Sequence, residues 1–330
     1  MRRRLFGRLK RIVRWEFWPP WLAYLPVAPY ILWLGAKHRS LTLFTATNPG
    51  IPSGGFAGES KSAILASLPG VPEYQVIPAG VRTACVSDFA VVLKPDVGER
   101  GTNVVIARSI DEVERYLAQA TQPTIVQKYV GGIEFGVFYC RRPDEAEGQI
   151  LSMTEKRFPE IVGDGISSVA DLILRDDRAV CVSRVYKPSD SVPDADERVR
   201  LTEIGSHSRG AIFLDGSRHQ TRELRAAIDA AAKAHAGFYF GRFDLRSPSI
   251  ADLQAGRFHI LELNGVAAEP THIYDPSVSF LDAYRVLFRH WRLAFEIGAT
   301  NRRAGASPMT LREFARQIRV HRGKRYSHPS

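Results

Sequence analysis

The segment 241–265, GRFDLRSPSIADLQAGRFHILELNG, constrains this chain more than any other. Tyr239–Leu245 and Phe258–Leu263 are short runs rich in apolar residues, separated by turn-forming Ser, Pro and Gly, the pattern of an antiparallel strand pair. Side chains alternate across a strand, so a polar residue between apolar neighbours points away from the core. Asp244, Glu262 and Asn264 then share one face with Arg242 and Arg246, while the apolar residues form the other. Two carboxylates and an amide on neighbouring strands make the oxygen cluster that hard Mg²⁺ takes alongside phosphate. The plainer alternative is the solvent-facing side of an ordinary hairpin.

Gly and Pro punctuate the rest of the chain into short elements. Ser60–Leu68 reads as a short helix, and Glu73–Ile77, Phe89–Lys94 and Asn103–Ala107 read as strands. Ser109 with Glu112, and Ser168 with Asp171, have the spacing of capping boxes that open helices. Further strands are expected at Thr124–Tyr129, Glu134–Cys140 and Ile150–Lys156, and helices at Thr221–Ala236 and about Ser279–Phe295. This order predicts an α+β architecture with antiparallel sheets. The turn-rich stretch TATNPGIPSGGFAGES, residues 45–60, reads as a separator between an N-terminal arm and a catalytic body.

With the RxD of one strand followed by the ExN of the next, the chain resembles the ATP-grasp superfamily, particularly its D-alanine–D-alanine ligase and cyanophycin synthetase branches. Other stretches match in order along residues 59–300. Val91–Pro95 and the following DVGERG resemble the strand-end lysine and glycine loop that cover ATP phosphates, which implies phosphate contact by Lys94, Gly98, Arg100 and Gly101. Thr124–Phe138 resembles the hinge strand, implying adenine contact at Gln127, Lys128, Tyr129 and Val130 and a ribose partner in Glu134. Lys61 aligns with an earlier ATP lysine, a solvated helix lysine being the alternative. Glu155-Lys156-Arg157 before a Gly-Asp-Gly turn resembles a further phosphate-binding stretch; alternation lets only one of the two cations face a cleft, and Lys156 is preferred. The resemblance implies two α+β subdomains, 59–130 and 131–300, enclosing an ATP cleft.

What it implies chemically is an ADP-forming ligase with ATP and Mg²⁺ as cofactors. Asp244, Glu262 and Asn264 hold the metal, and Arg242 and Arg246 steady an acyl phosphate formed from a substrate carboxylate and displaced by an amine. Phosphotransfer without ligation, and a non-catalytic nucleotide-binding scaffold, remain open beside it. His207 with Arg209, and His272, lie in small polar segments suited to substrate contact, although structural histidines are the commoner fate. Two departures stand out: residues 1–58 show no βαβ pattern where relatives carry a Rossmann-like domain, and the sequence after Asn264 lacks the Pro-Gly turn of the D-alanine ligases.

The net charge of +10 is confined to the ends: residues 1–40 carry +8, residues 301–330 carry +7, and the middle carries −5. A mildly acidic body with basic extensions argues against one continuous nucleic-acid surface. The uncharged run Phe17–Ala36 holds Pro19, Pro20, Pro26 and Pro29, each removing a backbone donor, so it is poorly built to span a membrane. Trp15, Trp18, Trp21 and Trp33 in this arm suit either packing on the body or peripheral contact with an anionic membrane. Residues 301–330 read as a basic tail. Three dispersed cysteines form neither a disulfide framework nor a zinc site, which together with these features predicts a cytoplasmic protein, at most peripheral on the inner membrane face.

Overall fold

The computed structural model describes residues 15–98, 101–186, 189–205 and 209–326. The arm enters through a helical turn, α1 (Pro20–Ala23), and a helix, α2 (Ala28–Lys37). After α3 (Lys61–Leu65) come β1 (Tyr74–Ile77), β2 (Val91–Pro95), β3 (Val105–Ala107), α4 (Ile110–Gln119) and β4 (Thr124–Lys128). These strands make an antiparallel sheet of order β1-β4-β2-β3. Next are β5 (Ile133–Cys140), β6 (Gln149–Arg157), the small β7 (Glu160–Val162), α5 (Val169–Arg175), β8 (Arg198–Arg200) and β9 (Ile212–Asp215). Then follow α6 (Arg222–Ala234), β10 (Phe240–Ser247), α7 (Ile250–Gln254), β11 (His259–Asn264), α8 (Phe280–Arg303) and α9 (Leu311–Tyr326). The second sheet, also antiparallel, runs β11-β10-β5-β6-β9, and β7 pairs with β8 apart from it. The architecture is α+β with antiparallel sheets, as the sequence predicts.

Period-2 alternation explains how two strands serve two cores each. In β4, Ile125 packs into the cluster that joins α3 to the second sheet, while its neighbour Val126 packs with Leu93, Val113 and Leu117 under α4. In β5, Phe135, Val137 and Tyr139 face α6 through Leu224, Ile228 and Ala231, while Phe138 and Cys140 face α8. Buried on both faces, β5 anchors the sheet. Helix starts are set by hydroxyl caps: Ser109, Ser168, Thr221 and Ser279 each accept the amide three residues on, an arrangement worth about 1 kcal/mol per cap. The Ser109 box closes one residue early, with Glu112 accepting from the Arg108 amide.

Two stretches differ from the sequence reading. The turn-rich segment at 45–58 is a buried pillar rather than a linker. Asn48 Oδ1 accepts from the amides of Tyr239 and Phe240 at 2.9 Å each, its Nδ2 donates to Phe240 O at 2.8 Å, and Asn301 bonds the Ala46 and Thr47 carbonyls. The supposed basic tail forms α9, which lays Phe314 against Phe44 and Phe56, with ring centroids 5.4 and 5.1 Å apart. The arm packs on the body: Val27 is fully buried beside Ile273, Ala283 and Leu287, and Tyr284 Oη donates to Ala23 O at 2.7 Å. Residues 1–14, which hold most of the arm's basic charge, lie outside the described residues. No helix among the described residues is long and apolar enough to cross a membrane.

Candidate functional site

The two sheets face each other across one large cavity, about 2000 Å³, with β2 and β4 on one side and β5, β6, β10 and β11 on the other. Strand register builds the charged floor of this cleft. Arg246, Glu134 and Lys156 are directly opposite one another on β10, β5 and β6, and Asp244 lies opposite Gly136 on β5 and Glu262 on β11. Arg242 faces Asn264 in the same register. All of these side chains stand on the face of the sheet opposite Phe243 and Leu245, which are fully buried in the core. A Cβ at Gly136 would lie 3.2 Å from Arg242 Cδ and 3.4 Å from Asp244 Oδ1, so the missing side chain there leaves room for that pair.

The floor is a row of alternating charges. Arg242 donates to Asp244 through Nε at 3.0 Å and Nη2 at 3.1 Å. Lys156 Nζ bridges Asp244 Oδ1 and Glu134 Oε1, at 3.0 Å to each. Arg246 closes on Glu134 Oε2 through Nε and Nη2 at 3.0 and 2.8 Å. Burial by itself would raise the Asp244 pKa, but Arg242 and Lys156 outweigh it and bring it down to about 2. Burial likewise disfavours the Lys156 ammonium, yet the two carboxylates more than compensate and its pKa rises. Arg157, the alternative cation, pairs instead with Glu155 and is more than half exposed.

The first sheet contributes Lys94, whose Nζ donates to Gln127 Oε1 at 2.8 Å and to Leu261 O on β11 at 3.0 Å, linking the two walls. Its surroundings are only partly compensating: burial lowers its pKa to about 8 despite the pull of Glu262. Gln127 Nε2 is buried and has no hydrogen-bond partner among the described residues, a donor left for something that enters the cleft. Lys61, the first residue of α3, donates to Gly98 O and pairs with Glu262 Oε1 at 3.5 Å. The loop after β2 is tied to that helix start, with Asp96 accepting from the Lys61 and Ser62 amides. Gly98 and Gly101 line the cleft, Gly101 at a φ of +68° that suits glycine.

Other expected residues fall differently. Lys128, Tyr129 and Val130 line the cleft, but Lys128 also pairs with Asp88 at 3.6 Å and is half exposed. Tyr129 lies under the Arg246 guanidinium at 5.1 Å, and Val130 O accepts from Arg246 Nη1 at 2.9 Å. Arg246 is thus held by a carboxylate, two carbonyls and two aromatic rings, those of Tyr129 and Phe158. His272 and Arg209 do not line the cleft. Burial lowers the His272 pKa, and its neighbours Thr271 and Tyr274 are the ones that reach the cavity. Arg100 and His207 lie outside the described residues. The Gly-Asp-Gly turn at 163–165 belongs to the small β7/β8 unit, where Asp164 accepts from Ser167.

Two functional features escaped the sequence. Gly136 becomes informative only once its register partner Asp244 is known. Arg242 also donates to Glu269 O at 2.8 Å, which fastens the loop after β11 to the floor. That loop is held from below too, by Gly54 O accepting the Val266 amide at 2.9 Å.

Among the described residues no group of three or more His, Cys, Asp or Glu side chains could hold a metal by itself. The donor set of Asp244, Glu262 and Asn264 fits Mg²⁺ of the kind bound by one or two carboxylates and completed by phosphate and water. Along the floor Lys94, Lys156, Arg242 and Arg246 outnumber Glu134, Asp244 and Glu262 by one, and Glu16, Glu59, Glu203 and Glu269 elsewhere in the lining offset that excess.

No protein-family model matches the chain, and no curated protein sequence matches it. Among solved structures it is similar to a bifunctional glutathione synthetase from Pasteurella multocida, at 16% identity over 70% of this chain and 35% of that one, with a TM-score of 0.36. It is also similar to D-alanine–D-alanine ligase from Bacillus anthracis, at 13% identity over 80% and 69% of the two chains, TM-score 0.41. A third is the ATP-grasp ligase PsnB complexed with a minimal precursor, at 14% identity over 71% and 59%, TM-score 0.36. The chain spans about a third of the glutathione synthetase's length.

Proposed function

We propose that this chain is a Mg²⁺- and ATP-dependent enzyme that phosphorylates a carboxylate and passes the acyl group to an amine. The observation that carries the reading is the buried row of alternating charges on β5, β6 and β10, facing Lys94 and the unpartnered Gln127 Nε2 across one cleft. The row is paired within itself, so what sets it apart from an ordinary hairpin is the cleft it floors and the buried Gln127 Nε2 donor there, which has no partner among the described residues.

Asp244, Glu262 and Asn264 would hold Mg²⁺, which when bound neutralises phosphate charge and fixes its oxygens. Lys94, Lys61 and Lys156 surround the triphosphate, with Gly98 and Gly101 letting backbone approach it. Gln127 and the backbone of 128–130 receive the base, and Glu134 the ribose. Arg242 stands where the floor meets the rest of the cavity and orients the substrate carboxylate. A carboxylate oxygen bonds the γ-phosphorus as the bond to the β-phosphate oxygen breaks and ADP leaves. The amine nitrogen then bonds the acyl carbon, the acyl–phosphate bond breaks, phosphate departs and the surplus amine proton passes to water. The residues supply positioning and charge, so no enzyme nucleophile is required.

The test is ADP release from the purified protein with Mg²⁺-ATP and pools of carboxylates, with and without pools of amines. Release that needs both and disappears in Glu262→Gln supports ligation; release without amine points to phosphotransfer, and turnover retained by Glu262→Gln removes the metal assignment.

The arm gives a second, compatible reading of location. Its outward side exposes Trp21, Leu25, Leu32 and Trp33, with Lys37 over the Trp33 ring at 5.2 Å. Aromatic and branched side chains beside cations are the composition of a lipid–water interface, and the arm is proposed to rest on an anionic membrane surface.

A further inference from the structure

The cleft continues past the charged floor. Its volume of about 2000 Å³ exceeds the roughly 300–1,000 Å³ typical of a site for one small ligand. Beyond Arg242 and Glu269 the wall changes character: Trp18, Leu22 and Tyr24 of the arm form one side, and Phe44, Trp291 and Phe314 another. This lobe is built, not left over. Glu16 is held by Arg178 at 2.8 Å, and Arg178 Nη2 donates to Ala211 O at 3.0 Å, which fastens the start of the arm to the far wall. Phe44 packs edge-on against Trp291 at 5.6 Å and against Phe314 at 5.4 Å, so the pillar, α8 and α9 share one aromatic surface. The segment that departs from the expected βαβ pattern thus supplies a wall of the cavity.

We infer that this lobe takes the apolar body of the substrate acid, with its carboxylate at Arg242, so that the acid is an amphiphile carrying an alkyl or aryl tail rather than a small polar amino acid. The direction of the carboxylate rests on the ligase reading, whereas the lobe's preference for apolar bodies does not. Continuity decides the arrangement. Arg242 is bonded to Asp244 on the floor side and to Glu269 O on the lobe side, which makes it the cation at the junction. A tail running from that point lies against aromatic and aliphatic side chains.

The experiment is calorimetric titration of the full-length protein with straight-chain carboxylates from butanoate to dodecanoate, each below its aggregation concentration. Phenyl-substituted acids and the matching alkylamines form parallel series. Affinity for the acids is expected to rise by roughly fourfold per added methylene until the lobe is filled. Leu22→Trp, which narrows the lobe, should lower the ratio of dodecanoate to butanoate affinity by at least tenfold. An affinity independent of chain length in the wild-type protein overturns the proposal, as does chain-length dependence shown by the amines and not the acids. A gain that is the same in Leu22→Trp places the tail elsewhere and also overturns it. The same acids are offered with Mg²⁺-ATP and a pool of amines: tail-dependent binding without ADP sinks the ligase reading and leaves the lobe, while ADP release indifferent to tail length does the reverse.

Discussion

Among the described residues Lys156 is the one cation that bridges Asp244 and Glu134 in the buried row, so Lys156→Met tests whether that row is built as described. Removing one member of a buried charge network typically costs about 3–5 kcal/mol, because it leaves charge uncompensated. Here each carboxylate keeps an arginine, Arg242 for Asp244 and Arg246 for Glu134, which places the cost near the lower end, about 3 kcal/mol. With 330 residues and an unfolding entropy of about 2.1 cal/mol/K per residue, the melting temperature should fall by about 4 °C. Differential scanning calorimetry at pH 7 without nucleotide measures this. With Lys156 gone the row keeps two arginines against two carboxylates, so adding Asp244→Asn strands Arg242 and costs further stability, but less than Asp244→Asn costs alone, a coupling of about 1–2 kcal/mol. A melting temperature unchanged by Lys156→Met, or single-variant costs that simply add in the double variant, would refute the reasoning.

Two further outcomes follow from the same geometry. Lys94, with its pKa brought down to about 8 by burial, is protonated below that pH and neutral above it in the free protein, whereas the unfolded chain keeps the proton to about 10.4. The unfolded state therefore binds more protons between those values, so this group's contribution to stability rises with pH across that window. Affinity for a non-hydrolysable ATP analogue should fall above pH 8, approaching tenfold per pH unit, and Lys94→Met should flatten the profile; a wild-type profile flat from pH 7 to 10 contradicts the role. For the arm, Trp21→Ser with Trp33→Ser should lower sedimentation with anionic vesicles, and equal sedimentation of variant and wild type would sink the membrane contact. Point substitutions are the proper probe, since deleting residues 1–40 would also strip the buried Val27 and Leu34.

What was legible in the sequence is what local periodicity encodes. Alternation in Phe243–Leu245 and Leu261–Leu263 was enough to put Asp244 and Glu262 on one face, and the structure pairs them directly. The same rule lets only one of Lys156 and Arg157 face the cleft, and the structure has Lys156 there and Arg157 on Glu155. What was hidden depends on partners distant in the chain. Asn48 looks like a loop residue until Tyr239 and Phe240 are seen to donate to it. Charge made 301–330 read as a tail, because α9 buries little beyond Phe314 and its helical face is mostly basic. Arg246 looked like a free phosphate ligand, yet its guanidinium is occupied by Glu134, Val130 O and Glu203 O. His272 had the right neighbours, but in the one-turn helix Thr271–Tyr274 it is Thr271 and Tyr274 that line the cavity.

The measurement that tests the central claim most directly is calorimetric binding of a β,γ-imido ATP analogue to the full-length protein, with and without Mg²⁺, in wild type, Lys94→Met and Glu262→Gln. The account predicts tight binding that requires Mg²⁺, a loss of affinity in Lys94→Met with or without the metal, and loss of the Mg²⁺ dependence in Glu262→Gln. Binding that ignores Mg²⁺, or that is the same in all three proteins, would contradict it.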